Sequence, residues 1–154
     1  MKSHYKKTFF ENMNLSVEKN IGEISVCIFN VGANISFPIL ETTSEKFYKC
    51  WEMACYSGFL VGREAAKHMI PREQGTIIFT GATASKRGAA NFSAFSVAKS
   101  GLRALSQSLA RELGPKGIHV SHVVIDGAID TPWIRQVSYI AFIVKIGYCM
   151  IDTF

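Results

Sequence analysis

Three strand-length runs dominate the chain: "ISVCIFN" (24–30), "GTIIFTG" (75–81) and "GIHVSHVVID" (117–126). The first two are almost continuously apolar, the pattern of strands buried on both faces of a parallel sheet. Each is separated from the next by a long stretch of helical periodicity. A strand that reaches its neighbour through a helix pairs parallel to it, by a right-handed crossover. The chain is therefore expected to be α/β, with a Rossmann-like parallel sheet and helices on its faces.

The first helical pattern spans 44–69. Thr43 or Ser44 can cap it, with Glu45 in its first turn. Phe47, Trp51, Ala54, Gly58, Val61, Ala65 and Met69 form one stripe at helical spacing. The second spans 94–113, where Phe95, Ala98, Leu102, Leu105, Leu109 and Leu113 form the apolar stripe. A separate face of this helix carries the small residues Val97, Gly101, Ala104 and Ser108, which suits close approach by another helix. Pro71 and Gly75 end the first pattern, and Gly114, Pro115 and Gly117 end the second. A shorter stretch, "FFENMNLSVEKNIG" (9–22), has helical character ahead of the first strand.

With 154 residues, 48% of them apolar, the chain suits one domain with a sizeable core. Its net charge of +5 is spread over scattered Lys and Arg, without the basic and aromatic interleaving of a nucleic-acid surface. Cys27, Cys50, Cys55 and Cys149 form no CxxC pair, so neither a metal site nor a disulfide framework is expected. Reduced thiols and the lack of a secretory h-region point to the cytoplasm. The apolar run Val137–Ile151 would reach about 22 Å as a helix, short of the roughly 30 Å of a bilayer core, and contains Lys145. It reads as an apolar tail, not a membrane anchor.

Ligands of open α/β sheets bind at the carboxyl ends of the strands. Those ends are "NVGAN" (30–34), "TGATASKRG" (80–88) and "DGAIDT" (126–131), each combining Gly with small polar residues. His119 and His122, three apart on a strand, point to opposite faces and cannot easily share a metal. Asp126 and Asp130 fit an acid/base pair less well than they fit turn positions.

The order "FNVG", "CYSG", "GTIIFTGATAS", "FSVAK" and "ARELGPKGIHVSHVVIDGAIDT" resembles the short-chain dehydrogenase/reductase family over about residues 20–135. That resemblance divides the chain into a divergent segment (1–20), a partial Rossmann-like domain (21–135) and an apolar tail unlike the family (136–154). It implies an NAD- or NADP-dependent oxidoreductase acting on a small alcohol or carbonyl compound. It implies cofactor contacts from Asn30, Gly32, Lys99, Gly127 and Thr131. It also implies a homodimer through helices 44–69 and 94–113, with no nucleic acid and no membrane as partner.

The departures from the family pattern carry as much information. Of the family's catalytic Asn, Ser, Tyr and Lys, only Lys99 is present; the other positions read Cys55, Ala82 and Phe95. Thr83 and Ser85 are the hydroxyls nearest the missing Ser. A subgroup reading "GATAS" followed by "FxxxAK" makes Phe95 a subgroup feature. Nothing in residues 1–30 matches the family's Gly-rich pyrophosphate turn, and the chain begins where the family's third helix would be. The expectation is a chain incomplete at its first βαβ half, with weak or absent cofactor binding and impaired catalysis. The alternatives are a non-catalytic, partner-binding relative or an inactive fragment.

Overall fold

In a computed structural model of the chain, residues 16–127 and the strand at 149–153 are described. Residues 16–20 are helical and precede β1 (Val26–Phe29). A long helix follows in three parts: α1 (Ser44–Trp51), a π turn (Glu52–Tyr56) and α2 (Ser57–Met69). Then come β2 (Gly75–Ala82), α3 (Ser93–Leu113), β3 (Ile118–Ile125) and β4 (Cys149–Thr153). The rest of the 1–20 and 136–154 segments, together with Asp130 and Thr131, lies outside the described residues.

The sheet order is β1-β2-β3-β4. The first three strands pair parallel, with Phe29 opposite Phe79 and Phe79 opposite His122. This is the parallel Rossmann-like arrangement that the strand-helix alternation requires. β4 pairs antiparallel with β3, Ile125 facing Cys149 and Ser121 facing Thr153. The sequence reading put no strand in the apolar tail, so β4 corrects it. Without β4 the outer side of β3 would present a row of unpaired backbone groups, which the short strand Cys149–Thr153 satisfies.

Both long helices cover one face of the sheet. Phe29, Ile77, Phe79, Ile118 and Val120 meet Val61, Ala65 and Met69 of α2 and Leu102, Ala110 and Leu113 of α3 in one core. Ile77 and Phe79 are two residues apart, so they point the same way. On the opposite face Val26 and Ile28 are 55% and 62% exposed. The described residues thus supply one of the two helical layers the fold class implies.

Thr43 caps α1 by accepting from the Lys46 N–H at 3.2 Å. The π turn adds a residue to the helical repeat, and a regular stripe read from sequence loses phase across it. Ala54, Gly58, Val61, Ala65 and Met69 are buried as expected, but Phe47 is 36% exposed, Trp51 is half-buried, and Cys50 takes the buried position one residue before Trp51. In α3 Phe95, Ala98, Leu102 and Leu113 are buried, and Leu105 and Leu109 pack against the core.

Candidate functional site

The carboxyl ends of β1, β2 and β3 open onto a cavity of about 910 Å³. Asn30, Gly32, Thr80–Thr83, Phe95, Lys99, Asp126 and Gly127 all line it. Parallel strands end on the same edge, so three segments far apart in sequence converge there.

Lys99 is the most constrained of these residues. It is 5% exposed, and its Nζ donates to Thr80 O at 2.9 Å and to Val31 O at 3.4 Å. Burial holds the pKa of its ammonium below the ordinary lysine value, while neighbouring Cys50 pulls it the other way. A Cβ at Gly32 would stand 3.7 Å from Nζ, so glycine keeps the space beside the ammonium open. Cys50 is itself buried, its thiol donating to Ala33 O at 3.2 Å, and its pKa is raised by burial.

Phe95 belongs to a second apolar cluster with Cys50, Ala54, Ala94 and Ala98, and its ring lies 6.4 Å from that of Phe92. Its edge on the cavity presents carbon where the resemblance implies a hydroxyl. Ala82 likewise presents a methyl group. The two hydroxyls nearest Ala82 take different roles. Ser85 is 4% exposed and accepts from the Ala82 N–H at 3.0 Å, closing the 3-10 turn Thr83–Ser85, and is absent from the cavity lining. Ser100 Oγ donates to Ala84 O at 3.2 Å and ties the same turn to α3. Thr83 does line the cavity, and its hydroxyl donates to the Asp126 carboxylate, joining the ends of β2 and β3.

Cys55 lies away from the cavity. It sits in the π turn against α3, where a Cβ at Gly101 would come within 2.9 Å of its Sγ. Burial raises its thiol pKa, the opposite of what an activated nucleophile needs. His119 is exposed and His122 fully buried, as opposite faces of β3 demand. Among the described residues no group of His, Cys, Asp or Glu is placed to hold a metal. No described helix is long and apolar enough to cross a membrane.

Among the polar cavity residues, Asn34 and Arg87 fall within the strand-end segments 30–34 and 80–88 expected to bind ligand, though neither was named individually, and Ser96 was not expected. Ser96 carried a readable signal, since it stands three residues before Lys99 and shares its helix face.

Comparison with known proteins places this arrangement. The profile of the family described as short chain dehydrogenase matches residues 5–139. The crystal structure of a short-chain dehydrogenase from Rhodopseudomonas palustris is 52% identical, with a TM-score of 0.75, covering 82% of this chain and 57% of that one. The 3-oxoacyl-[acyl-carrier-protein] reductase MabA of Mycobacterium avium is 30% identical over 122 residues, 79% of this chain and 48% of that protein. A gluconate 5-dehydrogenase from Burkholderia cenocepacia J2315, solved with NADP and tartrate, is 19% identical with a TM-score of 0.79 over 86% of this chain and 51% of that one. The chain spans about half the length of the curated relatives it matches. A profile match over most of the chain, joined to a parallel sheet and helices in the same order, makes it a member of the short-chain dehydrogenase family.

Proposed function

We propose that the cavity is the nicotinamide and substrate end of an NAD(P)-dependent oxidoreductase site acting on a small carbonyl compound or alcohol. The observation that carries this reading is the convergence of Asn30, Gly32, Lys99 and Gly127 on one cavity, with the space beside the Lys99 ammonium kept open by Gly32. These residues fit the ribose and nicotinamide of the cofactor, which when bound would exchange a hydride with the substrate carbon. Thr131 is a further candidate contact by family resemblance.

The chain's own side chains set what happens to the proton. Lys99 holds its amino group at the cavity, anchored by Thr80 O and Val31 O. Phe95 excludes water but has no proton to give. Thr83 points its hydroxyl hydrogen at Asp126, which leaves its lone pairs to accept from a substrate O–H. General acid-base assistance is worth roughly 10²- to 10⁴-fold, and the Phe95 position withholds it. Catalysis by this chain is therefore impaired relative to a member with a hydroxyl there. The unpaired thiols Cys27, Cys50 and Cys55 support a cytoplasmic setting. Exposed Phe47, Tyr48, Met53, Phe59 and Val97 on the outer helix surface support self-association through helices 44–69 and 94–113.

Saturation-transfer NMR with NADP tests the reading. The nicotinamide and adjacent ribose protons should receive saturation from the protein more strongly than the adenine protons, and Lys99→Met should abolish the difference. Contact through adenine alone, or no contact at millimolar cofactor, would refute it.

A further inference from the structure

One side of the cavity is carbon. Ala82, Ala84, Ala89, Phe92 and Phe95 line it from the end of β2, the turn that follows and the start of α3, and Ile125 joins them from β3. They are not scattered. Ala82, Ala84 and Phe92 pack against the second apolar cluster, of which Phe95 is a buried member. The Phe92 and Phe95 rings stand 6.4 Å apart at 58°. Ala82 is the register partner of Ile125, so those two share one face of the sheet. The result is a continuous apolar wall running from β3 across the end of β2 to the first turn of α3. Ala82 and Phe95, the positions that read carbon where the family pattern has hydroxyls, both belong to it. Their identity therefore does more than remove a proton donor, because it also keeps the wall free of polar side-chain atoms. Two hydroxyls beside it do not change this. That of Ser96 is enclosed, and that of Thr83 donates to Asp126.

We propose that the substrate of this cavity carries a hydrocarbon substituent of several carbons beside its carbonyl or alcohol group, and that Phe92 selects for it. The inference rests on the carbonyl-or-alcohol reading above and narrows it to apolar ketones, aldehydes and their alcohols, away from sugars and polyols. A hydroxyl pressed against this wall loses water and finds no replacement hydrogen bond there, whereas a methylene gains by leaving water. Phe92 is the selecting residue because its ring is half-buried and keeps an open part at the cavity, while Phe95 is 9% exposed and held within the cluster.

The test is titration of the isotope-labelled chain with 2-butanone, 2-pentanone and 2-heptanone, and with erythrulose, which puts three hydroxyls on the skeleton of 2-butanone. Binding is followed through the amide signals of Ala84 and Ala89. A fully buried methylene gains about fourfold in affinity, and one covered on a single side about twofold, so 2-heptanone should bind about tenfold more tightly than 2-butanone. Erythrulose should bind more weakly than 2-butanone. Phe92→Ala should remove most of the tenfold gain, and Phe92→Leu should keep most of it. Ala89 is exposed, so Ala89→Asp places a charge on the wall without disturbing the core, and it should weaken 2-heptanone more than 2-butanone. Erythrulose binding as tightly as 2-butanone, equal affinity along the ketone series, no binding of 2-heptanone, or an undiminished gain in Phe92→Ala would overturn the proposal. The NADP contact experiment separates the two readings. Cofactor contact without the chain-length gain defeats only the substrate class, and the gain without cofactor contact defeats the oxidoreductase.

Discussion

The Nζ of Lys99 donates to Thr80 O at 2.9 Å from a position only 5% exposed. Burial lowers its pKa in the folded chain. Between that lowered value and the ordinary lysine value of about 10.4, the unfolded chain binds more protons, so this group makes stability rise with pH. The raised thiols of Cys27, Cys50 and Cys55 act oppositely, their contribution being lost as pH rises through their folded values. Lys99→Met removes the first effect and leaves the Cys27 and Cys55 thiols, which do not contact Lys99, as they were; it also frees the Cys50 thiol from the lowering influence of the ammonium, which adds to the second effect. In urea unfolding at pH 7 and pH 9.5, the unmodified chain should gain stability relative to Lys99→Met at the higher pH. A difference independent of pH would contradict the buried ammonium.

Gly58 permits α2 to close on β1 and α3. A Cβ there would stand 2.5 Å from Leu102 Cδ1 and 3.3 Å from Phe29 Cε1. Leu102 can rotate, but its neighbours are fully buried and leave little room. Gly58→Ala should cost roughly 1–3 kcal/mol in chemical denaturation, the range for overpacking a core. No loss would mean that the helix can shift outward freely.

Cofactor affinity separates the two ends of the site. In the proposed site the cavity residues would meet the ribose and nicotinamide, while residues 1–30 contain no Gly-rich turn to hold the pyrophosphate on backbone N–H groups. Calorimetry with NAD(H) or NADP(H) should give at best millimolar dissociation constants. Submillimolar binding would show that the pyrophosphate end finds partners elsewhere.

Phe95→Tyr places a hydroxyl one turn from Lys99, whose ammonium would lower its pKa. Ala82 still lacks the hydroxyl that would orient a carbonyl, and Ser85 is committed to the Ala82 N–H. Groups that act as a unit gain little when one alone is restored. The variant should show no turnover of generic aldehydes or ketones with either cofactor; measurable turnover would make Phe95 the sole defect.

Ala104 and Ser108 are exposed on α3, beside Val97 at 49% exposure. If this face joins two chains, Ala104→Glu buries a charge in the joint. Light scattering should then report a monomer for the variant and a dimer for the unmodified chain. The same association state in both would exclude this face.

The amino-acid order by itself determined the strands, the long helices and the parallel pairing, because apolar periodicity reports which residues can leave water together. It also carried the family resemblance that reads Phe95 and Ala82 where the family pattern has hydroxyls near Lys99. Tertiary structure decided what spacing cannot encode. The π turn moved the buried position from Trp51 to Cys50, because one added residue rotates everything before it by one position. The free edge of β3 drew 149–153 into the sheet, because unpaired backbone groups seek partners irrespective of distance along the chain. Thr83 and Ser85, two residues apart in a turn, parted company: one faces Asp126 across the cavity and the other closes the turn. Ser96 became a cavity residue only because α3 packs beside the end of β2. A site built from three strand ends and a loop depends on contacts between segments, and such contacts leave no local pattern in the sequence.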